Sequence, residues 1–182
     1  MRIISGIKKG HQVQAPKKLP VRPTTDFSRE NIFNILENTF FLEKIDVLDL
    51  FSGTGIVSFE FASRGSKSIL SVDSNSASLA FIKKEAKNLG FENFKTIKSD
   101  AINFLNKTEL KFDIIFADPP YNYNHHKELT DKIFEKEVLK EKGQFILEHS
   151  KQSNMSEHQY FKSKRTYGQS EFSFFYKNIK TE

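Results

Sequence analysis

From residue 45 onward the chain switches between two hydrophobic periods. Short apolar runs at residues 45–50, 68–72, 94–98, 112–117 and 144–148 read as strands covered on both faces. Between them, at 56–63, 76–89, 101–106 and 127–140, apolar positions recur every three or four residues, as on one face of a helix. Arg64-Gly65, Gly90 and Gly143 supply stop signals for three of these helices. Near the end, residues 161–166 and 171–177 flank Tyr167-Gly168-Gln169-Ser170 and predict a hairpin. Strands alternating with helices imply an α/β fold, a mostly parallel, doubly wound sheet with an antiparallel hairpin at one edge. Ahead of it, Arg2 to Gly6 and Val13-Gln14-Ala15 after a turn at Gly10 predict a short β-hairpin. Thr24-Thr25-Asp26 then caps a helix whose Ile32, Phe33, Ile35, Leu36 and Phe40 form one apolar stripe. The chain therefore reads as an extension over residues 1–40 packed on a main domain over 41–182.

Composition adds limits. At 182 residues with 37% hydrophobic positions, the chain fits one domain with a real core, and its 19 Phe fall mainly in the apolar runs. Cysteine is absent, which excludes disulfides and thiolate metal sites. No run approaches the roughly 18 apolar residues of a membrane span, and Met1 to Gly6 do not read as a secretory signal, so a cytoplasmic protein is expected. Charge matters more by position than by total. Arg2, Lys8, Lys9, Lys17, Lys18, Arg22 and Arg29 stand against Asp26 and Glu30, so the first 30 residues carry the whole net charge of +5. A basic arm on a neutral body is the footprint expected for a polyanion, or else a solvated terminus.

The candidate chemistry sits where predicted strands run out. Asp49, Asp73, Asp100 and Asp118 all fall at or near strand ends; singly each could be a helix cap, but four at one sheet edge suggest a shared site, where open α/β sheets bind ligands. Asp49-Leu50-Phe51-Ser52-Gly53-Thr54-Gly55 is a strand-to-helix turn whose glycines let the backbone approach a ligand. Ser58 replaces the third glycine of the dinucleotide fingerprint, and the Gly-Lys-Ser/Thr ending of a P-loop is missing. An acid opening the loop favours a cationic ligand such as S-adenosylmethionine. Asp73 then suits the ribose hydroxyls, and Asp100 with the backbone of Ala101 suits the adenine. In Asp118-Pro119-Pro120-Tyr121, the carboxylate and the Pro119 carbonyl can accept both hydrogens of an exocyclic amino group and free its lone pair. The prolines stiffen the loop, and Tyr121 can stack on an extruded base. That mechanism is one of positioning and needs no metal. His125-His126 lack a third ligand, Glu148 could orient a partner or be solvated, and Tyr167-Gly168 reads first as turn chemistry.

Taken together, these motifs resemble a known family. Met1 to Gly6 with Lys9-Gly10, Arg22-Pro23-Thr24-Thr25-Asp26, Arg29-Glu30, Phe33 to Leu36, Val47 to Gly55, Ser63-Arg64-Gly65, Asp118 to Tyr121 and Tyr167-Gly168 are similar to bacterial 16S ribosomal RNA guanine-N2 methyltransferases of the small-subunit type. The Arg-Pro-Thr-Thr-Asp segment is the specific part; the central motifs belong to the wider superfamily. The resemblance implies a class I Rossmann-like fold and S-adenosylmethionine as donor, with S-adenosylhomocysteine as product. It also implies N2-methylation of one guanine in 16S rRNA within an assembled or partly assembled small subunit. It implies that Asp49, Phe51, Ser52, Gly53 and Gly55 face the methionine part, Asp73 the ribose, Asp100 and Ala101 the adenine, and Asp118 to Tyr121 the guanine. Arg2, Lys8, Lys9, Arg22, Thr25, Asp26 and Arg29 would meet the RNA or shape the entrance. One departure stands out: the family usually has a basic or polar residue and then an aliphatic one between Asp26 and Arg29, whereas here Phe27-Ser28 occupy the gap. Two other readings use the same residues: a DNA adenine-N6 methyltransferase, for which no base-reading insertion is evident, and a non-catalytic RNA-binding or ribosome assembly factor. A monomer is expected, from the lack of a long exposed apolar helix.

Overall fold

In the computed structural model, residues 1–16 and 25–177 are described. The elements run α1 (Asp26–Glu37), β1 (Asp46–Leu50), α2 (Ile56–Ser63), β2 (Ser68–Asp73), α3 (Ser76–Leu89), β3 (Phe94–Lys98), α4 (Ala101–Lys107), β4 (Phe112–Ala117), α5 (His126–Glu135), β5 (Leu139–Ser150), β6 (Phe161–Tyr167) and β7 (Ser170–Phe175). They form one seven-stranded sheet in the order β3-β2-β1-β4-β5-β7-β6. β1 to β5 pair in parallel, and β7 pairs antiparallel with both β5 and β6. The chain reverses direction across the sheet between β1 and β4, which makes the carboxyl ends of those strands the switch point.

Two apolar layers sandwich the sheet. On one face, Val47, Ile69, Ile114 and Ile146 pack with Phe59, Phe61, Ile82 and Ala86 of α2 and α3. On the other, Leu48, Leu70, Ile115 and Leu147 pack with Phe104, Leu129 and Ile133 of α4 and α5. The alternation of neighbouring strand residues between the two layers is the period-two geometry of a strand buried on both sides. α2 is buried all round: its apolar residues face the core, and its polar Ser58, Glu60 and Ser63 are buried with hydrogen-bond partners.

The N-terminal segment belongs to the first layer. Ile3 and Val13 are 0% and 1% exposed and share a core with Ile32, Phe33 and Leu36 of α1. Each such side chain contributes about 2 kcal/mol of burial, so this segment cannot be removed without exposing the core. The expected hairpin forms as a narrow ribbon: Arg2 bridges Gln12, and Val13 N–H donates to the Met1 carbonyl at 2.9 Å. Its outer N–H groups on Ile4 and Ser5 turn inward, to the buried Glu60 carboxylate at 2.7 and 3.0 Å. Glu60 also holds Arg64 at 2.8 Å and lies 3.8 Å from Arg29. Gly6 then passes so close to α2 that a Cβ would sit 1.9 Å from the Ser63 carbonyl oxygen.

Two adjoining predicted elements need correction. The helix expected over 127–140 ends at Glu135, and β5 starts at Leu139 rather than at residue 144. Glu137 takes φ 51°, which breaks the helix. Val138 and Leu139 then turn into the sheet core, where Phe112 N–H donates to the Val138 carbonyl at 2.9 Å. Apart from the β-branched Val138, residues 136–142 are good helix formers, but burial of Val138 and Leu139 outweighs a propensity worth only tenths of a kcal/mol per residue. The extra residues form an irregularity between Phe112↔Leu139 and Ile114↔Gln144, held by Lys140 at 2.6 Å from Asp46 and 2.7 Å from Asp113. No helix among the described residues is long and apolar enough to cross a membrane.

Candidate active site

The sheet register assembles the site. Val72, Leu50, Ala117 and Leu147 lie side by side across β2, β1, β4 and β5. The residue that follows each of them, Asp73, Phe51, Asp118 and Glu148, therefore stands in a row at the carboxyl edge. A cavity of about 660 Å³ opens there, lined by these four together with Gly53, Asp100, Pro119, Pro120, Tyr121, Tyr123, His126 and His149. A larger hollow of about 1240 Å³ lies against β3 and the amino ends of the strands, walled by Lys83, Lys87, Lys95 and Lys111. It contains none of the motif residues, so the chemistry belongs to the smaller cavity.

The glycine loop is tightly constrained. Phe51, Gly53 and Gly55 have φ of 60°, 53° and 74°. A Cβ on Gly55 would come within 2.7 Å of Ile82 Cγ1. Ser52 is buried, and its hydroxyl lies 2.8 Å from the Asp49 carbonyl and 3.0 Å from that of Val72. Asp73 ties the loop to the next strand: Gly53 N–H donates to one carboxylate oxygen at 2.8 Å and Asn75 N–H to the other at 2.7 Å. Thr54, also buried, donates its hydroxyl to the Met1 sulfur at 3.5 Å, linking the chain's first residue to the loop. Asp100 caps α4 through Asn103 N–H at 3.1 Å while its side chain borders the cavity.

Several expected ligand groups sit elsewhere. Asp49 lies within β1, 2% exposed, and receives the hydroxyl of Ser58, which in turn meets Ser71. Burial pushes its carboxyl up to about 7, with the nearby Asp73 adding to the effect and the Ser58 hydrogen bond opposing it. It stands behind the loop, outside the cavity wall, as do Ser52, Gly55 and Ala101. These four shape the backbone that the cavity presents.

At the Asp-Pro-Pro-Tyr turn, Pro119 is buried, Asp118 half-buried, and Tyr121 62% exposed at the open side. Tyr123 N–H donates to the Pro120 carbonyl at 2.8 Å and closes the turn. Tyr123 itself was not foreseen. Its ring meets Phe51 edge-on with centroids 5.1 Å apart. Its hydroxyl is buried and has no hydrogen-bond partner among the described residues. Burial first, then the charges of Asp100 and Glu128, raise it to about 12, so it stays a donor. His149 was also missed: Nδ1–H donates to the Ser150 carbonyl and Nε2 accepts from Ser173, both at 2.8 Å. Burial lowers His149, and burial with His149 beside it lowers His126, which favours two neutral rings. Nothing in the sequence marks His149, which enters only because β5 runs two residues beyond Glu148. The described residues hold no cluster of three or more His, Asp or Glu side chains suited to a metal ion.

The residues expected to meet RNA divide. Arg2 is exposed, its Nε 3.0 Å from Asp26. Lys8 and Lys9 ride on a turn fixed to Ser63, at the far end of α2 from Gly55. That is about 12 Å from the site along an eight-residue helix. Thr25 caps α1 by accepting from Ser28 N–H at 3.1 Å. Arg29 must be corrected: it is 1% exposed, donating to the Arg2 carbonyl at 2.6 Å and to Asp26 at 2.9 Å. It faces the core side of α1 and braces the N-terminal ribbon. Arg22 lies outside the described residues.

Residues 1–176 match the family described as Conserved hypothetical protein 95. The chain is 35% identical over 161 residues to YlbH of Bacillus subtilis (strain 168), which carries a provisional name as an rRNA methyltransferase, with 86% of each chain covered. It is 30% identical over 154 residues to the ribosomal RNA small subunit methyltransferase D of Buchnera aphidicola subsp. Baizongia pistaciae, covering 85% of this chain and 78% of that one. In fold it is similar to the solved structure of yhhF from Escherichia coli, provisionally named a methyltransferase: the TM-score is 0.84 at 24% identity over 96% of both chains. The architecture is the class I Rossmann-like methyltransferase fold.

Proposed function

This chain belongs to the family described as Conserved hypothetical protein 95, and on that premise we propose that it methylates 16S ribosomal RNA in the cytoplasm, at the exocyclic N2 of a guanine. The observation that carries the reading is the single row of Asp73, Phe51, Asp118 and Glu148 along one cavity, with Asp100 and the Asp-Pro-Pro-Tyr turn completing the wall. The names of the relatives support rRNA as the substrate class. S-adenosylmethionine, when bound, supplies an electrophilic methyl group. The cavity suits it: an acid for the ribose at Asp73, a second at Asp100, a glycine loop a ligand can approach, and a buried donor at Tyr123 awaiting an acceptor.

The residues around the guanine act by positioning. An exocyclic amino nitrogen is a weak nucleophile because its lone pair is shared with the ring. Asp118 and the Pro119 carbonyl accept its two hydrogens and draw it toward a tetrahedral shape, so that the pair points at the incoming methyl. Tyr121, exposed at the cavity mouth, stacks on the extruded base. The nitrogen loses one proton as the N–C bond forms, and Asp118 is placed to take it. Holding the reactants together in line lowers the barrier further, by up to about 7–11 kcal/mol for well-oriented groups. The substrate form proposed is a small-subunit particle or assembly intermediate, met by a monomeric enzyme.

The test is methyl transfer from labelled S-adenosylmethionine to particles lacking the modification, to naked 16S rRNA and to duplex DNA, with the product digested to nucleosides. N2-methylguanosine from the particles or rRNA is expected; N6-methyladenosine from DNA would replace the substrate assignment. Asp118→Ala should lower turnover by at least about a hundredfold while cofactor affinity stays within threefold. Near-normal turnover in that variant would refute the positioning role.

A further inference from the structure

Beside the cavity lies an aromatic pair that the reaction as described does not use. Phe27, second residue of α1, is 66% exposed, and its ring meets Tyr167 edge-on with centroids 5.8 Å apart. Tyr167 is not loose: it packs edge-on against the fully buried Phe172 at 5.8 Å and so is anchored to the core. Its place in the fold is set by register. Tyr167 pairs with Ser170, Ser170 pairs with Ser150, and both serines line the cavity. The start of β7 therefore borders the cavity, and the start of α1 lies against the neighbouring end of β6 through Phe27.

An exposed phenylalanine at the first turn of a helix gains nothing from solvent; it makes a platform only if something covers it. Two exposed guanidinium groups belong to the same two elements, Arg2 bound to α1 and Arg165 on β6, where it donates to the Lys164 carbonyl at 2.8 Å. Arg2 is held next to Phe27 by the ion pair with Asp26, the preceding residue, at 3.0 Å. Arg165 is exposed two residues before Tyr167, hence on the same face of β6. Aromatic faces with adjacent guanidiniums are how proteins hold unstacked nucleotides: the ring takes the base and the cations take the phosphates. An enzyme that extrudes its target base leaves that base's neighbour without a stacking partner.

We propose that Phe27, supported edge-on by Tyr167, stacks on a nucleobase next to the target guanine, with Arg2 and Arg165 on the adjoining phosphates. This rests on the rRNA reading above and assigns Phe27 a role in choosing the substrate, outside the chemical step. It also explains how Phe27 can stand where the resembled family carries a basic or polar residue: stacking takes over part of what a phosphate contact would do.

The experiment compares wild type, F27A, F27W and R165A on unmodified small-subunit particles, reading KM, kcat and the slope of log affinity against log salt, with cofactor affinity as the control. F27A should raise KM about tenfold, the lower part of the range for losing one base–aromatic stack. Its kcat, cofactor affinity and salt slope should stay near wild type, because stacking releases no counterions. F27W, which keeps an aromatic face, should remain within threefold of wild type. R165A should instead flatten the salt slope by about one phosphate contact. Wild-type KM in F27A, or F27W as weak as F27A, would overturn the platform while leaving the methyltransferase reading intact. A wild-type chain that binds S-adenosylmethionine but methylates no rRNA would sink that reading and the platform with it.

Discussion

Asp49→Asn replaces a buried, ionisable oxygen with a neutral group of the same shape. Asp49 is 2% exposed, and burial holds its carboxyl at about 7 against an ordinary 3.8. At about 1.4 kcal/mol per pH unit, that displacement makes the charged form about 4 kcal/mol costlier in the folded chain than in the unfolded one. The direction follows from proton counting. Between pH 4 and 7 the folded chain keeps a proton on Asp49 that the unfolded chain has released, so this residue's contribution to stability falls as pH rises. Below pH 4 both states are protonated and the cost vanishes; above pH 8 both are charged and the full cost applies. The D49N side chain keeps an acceptor for Ser58, and whatever it gains or loses in packing does not depend on pH. Urea unfolding of both proteins at pH 5, 6, 7 and 8 isolates the carboxyl by difference. The stability of D49N relative to wild type should climb by about 1.4 kcal/mol per pH unit up to pH 7, from about 2 kcal/mol of carboxyl cost at pH 5 to about 4 at pH 8. A difference that stays flat from pH 5 to 8 would mean the carboxyl is not buried behind the glycine loop.

Two further substitutions probe the parts that hold the site. Glu60→Ala removes the acceptor for Ile4 and Ser5 N–H and one of the two carboxylates beside each of Arg64 and the buried Arg29, which keep Glu37 and Asp26; urea unfolding should show a loss of about 2–5 kcal/mol from the unpaired N–H groups, and a loss under about 1 would show that the N-terminal ribbon stands without its clamp. Gly55→Ala adds a Cβ 2.7 Å from Ile82 Cγ1 at φ 74°; calorimetric titration should find S-adenosylmethionine affinity lowered at least about tenfold with about 1–3 kcal/mol of strain, and unchanged affinity would remove the loop from the cofactor site.

Local patterns carried far here because the strands are short, both faces are covered, and glycines or caps punctuate nearly every junction. β4 over Phe112–Ala117, α2 over Ile56–Ser63 and α3 over Ser76–Leu89 follow directly from apolar runs, helical spacing and the stop at Gly90. The order of acids at strand ends and the Asp-Pro-Pro-Tyr turn were likewise visible, since a parallel sheet brings every strand's carboxyl end to one edge. What depends on neighbours distant in the chain was not. Lys136 to Leu139 favour a helix by themselves, yet Val138 and Leu139 extend β5 because the sheet has an apolar place for them. Asp49 and Asp73 are both acids near strand ends; only the packing sends one under the loop and the other onto the cavity wall. Arg29 looks like any basic group in a basic arm until α1 docks and buries it at 1% exposure. Phe27 and Tyr167 lie far apart in sequence and become a pair only when the last hairpin folds beside the first helix. Periodicity and turn chemistry are properties of a few consecutive residues and survive in the sequence; desolvation and cross-sheet contact are properties of the assembled chain and exist only once it has folded.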